Sequence, residues 1–163
     1  KDHLTLLNAI NHLKEKINLK LIIIGGGPNK KKILNYIKLN NVTKIIKIKN
    51  FTHNPYPYFL KADLFILSSL YEGLPNVLLE SLALNKFVIS SNCPTGPSEI
   101  LDNNKGGLLF RVGDYKDLVS KISFFNSKRK ECGKRLVYAR KRLHRFDYHK
   151  NLKKYYDLVK SMM

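Results

Sequence analysis

Leu4, Leu7, Ile10, Leu13 and Ile17 recur at three- and four-residue spacing, the period that lines apolar side chains along one helical face, so residues 2–17 are expected to form an amphipathic helix. The pattern then changes. Leu19–Ile24 is a short run rich in β-branched residues that stops at Gly25-Gly26-Gly27-Pro28, which predicts a strand closed by a turn. Helical spacing returns over 30–40 through Ile33, Tyr36, Ile37 and Leu39. The alternation continues with a strand at 45–48, a short helix at 56–61 behind Pro55, a strand at 63–68 and a helix at 76–84. A strand at 87–90, a helical turn at 98–101 and a strand at 107–110 come next, then helices at 114–125, 130–144 and 148–161.

Strands that are apolar throughout, instead of alternating, are buried on both faces. Separated by helical segments, they predict an α/β fold: one doubly wound, Rossmann-like parallel sheet with helices on both sides. In such a fold the functional loops gather at the carboxyl ends of the strands, where helix N-termini also point. Here those loops are 25–29, 50–54, 68–77 and 91–99.

The 163 residues, 44% of them hydrophobic and 10% aromatic, suffice for one domain with a substantial core. Cys93 and Cys132 have no disulfide-framework or metal-ligand spacing, which points to a reducing compartment. No apolar run approaches the roughly 20 residues of a membrane span. The balance of 30 basic against 12 acidic residues gives +18, a charge that invites nucleic acid or an anionic membrane as partner. Its distribution argues otherwise for the centre of the chain. Residues 62–104 hold Asp63, Glu72, Glu80, Glu99 and Asp102 against Lys86 alone, whereas 128–160 are dense in Lys and Arg.

Gly25-Gly26-Gly27-Pro28 suits a phosphate-cradling turn, because glycine lets backbone N–H groups approach an oxyanion. It is not a dinucleotide fingerprint, since Lys30 stands where the third glycine belongs and no ribose-binding acid ends the second strand. A nucleoside-triphosphatase P-loop is also absent. The richest segment is Ser68-Ser69-Leu70-Tyr71-Glu72-Gly73-Leu74-Pro75-Asn76-Val77-Leu78-Leu79-Glu80-Ser81. Two carboxylates eight residues apart flank a helix start, where Pro75 suits the first helical turn and free N–H groups attract an anion such as a diphosphate. Taken alone, Glu72 could cap the helix and Glu80 could face solvent.

Glu72-x7-Glu80, with Gly73 after the first glutamate and Leu79 before the second, resembles the E-x7-E motif of the retaining nucleotide-sugar glycosyltransferases of family 4, the group 1 glycosyltransferases. The likeness extends in order through Lys1–Ala9, Lys61–Ser69, Glu80–Ser90, Cys93–Leu101 and Gly106–Leu109, with Asn85 where glycine is usual. The resemblance implies the C-terminal, donor-binding half of a GT-B fold, residues 1–163 being a single nucleotide-sugar-binding domain whose N-terminal acceptor domain is absent from this chain. On that reading the chain alone binds donor and transfers no sugar at a useful rate.

The resemblance also implies roles. Glu72 would bind the hydroxyls of the transferred sugar, and Lys1 would neutralise the diphosphate. Glu80 would accept from both ribose hydroxyls. Backbone groups of Gly73, Leu74, Pro75, Asn76 and Val77 would hold phosphate and sugar. Gly25, Gly26 and Gly27 would line the same crevice, with Phe51 and Thr52 where the base sits, Phe51 being equally suited to the core. Ser98 and Glu99 are weaker candidates. The five histidines are scattered without metal spacing, and neither metal nor cofactor is expected beyond the nucleotide-sugar substrate.

The expected function is retaining transfer of a hexosyl or N-acetylhexosaminyl group, UDP-linked, to a surface polysaccharide or lipid-linked glycan of bacterial capsule or lipopolysaccharide type. The expected place is the cytoplasm, peripheral at the inner face of the cell membrane, where anionic lipid attracts the basic helices. Nucleic acid is not expected, because carboxylates at the strand ends repel a phosphate backbone. The rival readings are a basic nucleic-acid- or membrane-binding module on the same fold without catalysis, and a sugar-nucleotide epimerase.

Overall fold

The computed structural model describes residues 1–162. Its elements follow the predicted order: α1 (His3–Leu13), β1 (Leu21–Ile24), α2 (Lys30–Leu39), β2 (Ile46–Lys49), α3 (Tyr56–Lys61), β3 (Leu64–Leu67), α4 (Asn76–Ala83) and β4 (Phe87–Ser91). They continue as α5 (Pro97–Ile100), β5 (Leu108–Phe110), α6 (Tyr115–Ser127), α7 (Arg129–Lys141), a 3-10 turn (Leu143–Phe146) and α8 (Tyr148–Ser161).

Every strand pairing is parallel. Side chains alternate across a strand, so a sheet covered on both faces sends odd and even residues into different cores. Phe87, Ile89, Leu108 and Phe110 point into one apolar cluster with α1, α2 and α6. Val88, Leu109 and Leu67 point the other way, against Leu78 and Leu82 of α4 and Ala139 of α7. β4, between β3 and β5, is buried along its whole length. This two-sided covering is the doubly wound architecture that the uniformly apolar strands predict.

The ladder differs from the expectation of one sheet. Hydrogen bonds form two sheets, β1-β2 and β3-β4-β5, because β1 and β3 are not paired with each other. Residues of both sheets nevertheless share one core: Ile46 of β2 is buried in the cluster that holds Phe87 and Ile89, and Leu64 and Ile66 of β3 pack against it.

Local chemistry sets the element ends. The Asp2 carboxylate accepts from the Thr5 N–H at 3.1 Å and caps α1. The helix stops at Leu13 and Ile17 lies beyond it. Its buried face runs through Leu6, Leu7, Ala9, Ile10 and Leu13, which leaves Leu4 exposed, contrary to the predicted stripe. α4 ends at Ala83 with Leu84 as its C-cap, and Asn85 follows with φ of 59°, the left-handed conformation that closes a helix. Asparagine tolerates that conformation better than other non-glycine residues, so it replaces the usual glycine. The last helix, α8, has no buried residue. No described helix is long and apolar enough to cross a membrane.

Candidate active site

The carboxyl end of β3 delivers two buried serines, Ser68 and Ser69, into an exposed loop that carries Glu72 and leads to α4. Glu72 Oε1 accepts from the Ser69 hydroxyl and from the Lys1 ammonium, which forms an ion pair with it. Lys1 reaches that position because the Asp2 N–H donates to the Ser68 carbonyl at 2.8 Å, tying the start of the chain to the end of β3. Partial burial pushes the Glu72 carboxyl up, but the hydrogen bonds from Lys1 and Ser69 and the nearby positive charge outweigh it, so the group sits below its ordinary value of 4.5.

That shift has a sign. A depressed carboxyl contributes stability that is fully present above pH 4.5 and is lost as pH falls through the lower folded value. An NMR titration of the Glu72 side-chain carbonyl is therefore expected to give a midpoint under 4.5, and a midpoint at or above it would dissolve the Lys1 and Ser69 contacts as described.

α4 begins at Asn76 with Pro75 as its N-cap, one residue earlier than the first-turn position predicted, and no side chain caps it. Its first amides therefore have neither a side-chain acceptor nor an acidic neighbour in the first turn. No protein hydrogen bond of the described residues uses the N–H groups of Gly73, Leu74, Asn76 or Val77. Glu80 stands one turn further along α4, half-buried. Ion pairs among the described residues engage Glu72, Asp102, Asp114, Asp117 and Glu131 and leave the Glu80 carboxylate unpaired.

The loops after β1 and β2 form a second group. The Gly25 N–H donates to Lys49 O at 3.0 Å, and Lys30 Nζ donates to Asn50 Oδ1 at 3.0 Å. Gly25 and Gly27 have φ of 133° and 138°, accessible to glycine alone without strain, and open space surrounds all three glycines. Phe51 is 70% exposed, which removes it from the core, and its ring meets His53 edge-on at 5.0 Å. The Thr52 hydroxyl accepts from the Asn54 N–H at 3.2 Å in a local turn. No hydrogen bond among the described residues joins this group to the Glu72 loop.

Thr95 escaped the sequence reading. Its hydroxyl donates to the Glu72 carbonyl, and the Ser91 hydroxyl donates to the Ser69 carbonyl at 2.6 Å, so β4 and its exit loop brace the loop after β3. The available signal was a run of hydroxyl residues at two strand exits, Ser68-Ser69 and Ser90-Ser91 with Thr95 beyond. Of the two weaker candidates named in this segment, Glu99 lies exposed in the first turn of α5 and Ser98 is half-buried beside it. Two surface cavities, one of about 270 Å³ lined by Asn8, Asn11, His12 and Tyr115 and one of about 540 Å³ along Ser127–Glu131 and Lys134, share no residue with these loops.

The profile of the family described as glycosyl transferases group 1 matches residues 1–142. The chain belongs to this family. Among curated relatives, an uncharacterized glycosyltransferase of Methanocaldococcus jannaschii is 40% identical over 97 residues, 59% of this chain and 24% of that protein. The N-acetylgalactosamine-N,N'-diacetylbacillosaminyl-diphospho-undecaprenol 4-alpha-N-acetylgalactosaminyltransferase of Campylobacter jejuni is 37% identical over 112 residues, 69% of this chain and 30% of that one. The chain thus spans about a quarter to a third of the length of these relatives.

Solved structures agree on the fold. A mutant of TarM from Staphylococcus aureus, in complex with fondaparinux, alpha-GlcNAc-glycerol and UDP, superposes with a TM-score of 0.88 at 23% identity, over 97% of this chain and 32% of that one. Anabaena HepE in complex with UDP and glucose gives a TM-score of 0.88 at 17% identity, over 99% of this chain and 45% of that one. The fold is the Rossmann-like C-terminal half of a GT-B glycosyltransferase.

Proposed function

We propose that residues 1–163 bind a nucleoside-diphosphate sugar, UDP-linked, and serve a retaining transfer of a hexosyl or N-acetylhexosaminyl group to a surface polysaccharide or lipid-linked glycan. The observation that carries this reading is the α4 N-terminus, without a side-chain cap and flanked by Glu72 and by Glu80, which has no ion-pair partner among the described residues. Free N–H groups and a positive helix end suit a diphosphate. The two carboxylates are acceptor-only groups, which suit sugar and ribose hydroxyls. In this reading Glu80 takes the ribose, Glu72 takes the transferred sugar, and Gly73–Val77 hold the phosphates. The glycine loop and the Phe51–Thr52 loop complete the donor side, with the exposed Phe51 ring offering a stacking face for the base.

Lys1 has a double use here. Its ammonium pairs with Glu72, and in this reading it would also neutralise charge on the departing diphosphate, an attraction that a water-poor cleft would strengthen. The named partners of the relatives favour the same direction. UDP accompanies both superposed structures, and the Campylobacter relative acts on an undecaprenol-linked diphosphate glycan. The acceptor would be met by parts of the protein outside these residues, with lipid-linked glycans drawing it to a membrane surface.

Calorimetry of the chain against UDP, UDP-glucose, UDP-N-acetylglucosamine and UDP-N-acetylgalactosamine, with the corresponding GDP and ADP compounds beside them, tests the reading. Saturable binding with a UDP preference is the expected outcome. Absence of binding by every nucleotide sugar would overturn it.

A further inference from the structure

The loop between β4 and α5 touches the proposed donor loop at two consecutive peptide groups. Thr95 Oγ1 donates to the carbonyl of Glu72. Gly96, next in the chain and buried, sits against the carbonyl of Gly73 so closely that a Cβ would lie 2.1 Å from that oxygen and 2.5 Å from Pro75 Cδ. Gly96 also has φ of 87°, a conformation that side chains rarely adopt. Neither neighbour is the free end of a flexible side chain: one is backbone and the other a proline ring. Only glycine fits.

In a planar trans peptide the N–H points opposite to the carbonyl of the same unit. Turning the Glu72 and Gly73 carbonyls toward Thr95 and Gly96 therefore turns the Gly73 and Leu74 N–H groups away from the β4–α5 loop. Those two amides have no protein partner among the described residues, and their residues are exposed. They extend the row begun by the free Asn76 and Val77 amides of α4.

We propose that Thr95 and Gly96 are positioning residues of the donor site, which hold two successive carbonyls of the loop back so that its amides face the diphosphate. The assignment rests on the donor reading above and goes beyond it, because neither residue touches donor in that reading. Preorganised amides cost no reorganisation when the anion arrives, which is the source of their strength.

The experiment compares UDP with uridine on the intact chain, by calorimetry for UDP and by NMR titration for the weaker nucleoside. Thr95→Val keeps the shape and removes the donor hydroxyl; it is expected to weaken UDP binding about tenfold, the worth of one hydrogen bond, while uridine affinity stays within about twofold. Thr95→Ser restores the hydroxyl and should restore UDP affinity. Gly96→Ala should lose more, and its melting temperature is recorded beside that of the threonine variants so that a folding defect is seen as such.

Equal losses for uridine and UDP, or no recovery by serine, would make the loop a general structural brace and overturn the proposal. Unchanged UDP affinity in Thr95→Val would also overturn it, leaving the donor reading intact provided the parent chain binds UDP. Failure of the parent chain to bind UDP would instead remove the donor reading, and this proposal with it.

Discussion

Replacing Glu72 by alanine is expected to cut sugar transfer by about 100-fold or more while leaving the affinity for free UDP nearly unchanged. In the proposed site this carboxylate meets the transferred sugar and not the nucleotide, so its loss misplaces the reacting carbon, and a misplacement of about 1 Å suffices for an effect of that size. The contacts of Glu72 support a sugar-facing role. Among the described residues Ser69 and Lys1 hold Glu72 at one oxygen, Oε1, and Thr95 holds its carbonyl. The second oxygen, Oε2, is therefore left for a ligand. Transfer is measured on the full-length protein that carries these residues; UDP and UDP-sugar affinities are measured on both forms. A variant that loses UDP binding in step with turnover would place Glu72 in loop architecture.

The substitution Glu80→Gln is expected to weaken nucleotide binding by one to two orders of magnitude. Glutamine keeps the length and shape of the side chain but removes the charge that makes a hydrogen bond from ribose strong, a difference of roughly 1.5–3 kcal/mol. Glu80 has no ion-pair partner to release among the described residues, so the folded state should lose little with it. The clean result is a large fall in affinity for uridine and UDP alike with an unchanged melting temperature. Affinity equal to that of the parent would remove Glu80 from the site.

These two variants and those at Thr95 separate three parts of one site. In the proposed site Glu80 would act on nucleoside and nucleotide, Thr95 on the diphosphate alone, and Glu72 on the transferred sugar. All three proposed functions would then fall on a single loop and the first turns of α4, residues 72–80, with Thr95 reaching the loop from the neighbouring strand exit.

Periodicity and turn chemistry act over a few residues, and what they govern was legible in the sequence. The order of strands and helices, the parallel sheet with two covered faces, and the left-handed Asn85 that follows α4 all follow from local spacing and backbone preference. Residues 68–84 were legible as strand exit, loop and helix because these are contiguous, whereas the roles expected of Glu72 and Glu80 came from the resemblance of Glu72-x7-Glu80 to the group 1 motif, since spacing alone leaves a helix cap and a solvent-facing carboxylate open. Leu4 was misassigned because it shares the helical period with Leu7 and Ile10. Which side of that stripe meets the core depends on how α1 packs on α6 and α2, and not on spacing.

Tertiary structure alone decided the rest. Lys1 and Glu72 are 71 positions apart and Thr95 and Glu72 are 23 apart, so no local rule relates them. Lys1 arrives because the Asp2 amide bonds the end of β3, and Thr95 arrives because β4 lies beside β3 in parallel register. The exposure of Phe51 and the division of the strands into two ladders were likewise undetermined by composition or period. Any hydroxyl residue at a strand exit is equivalent in sequence to any other. Packing selects one, because only the neighbour that the sheet brings within hydrogen-bonding reach can hold the loop.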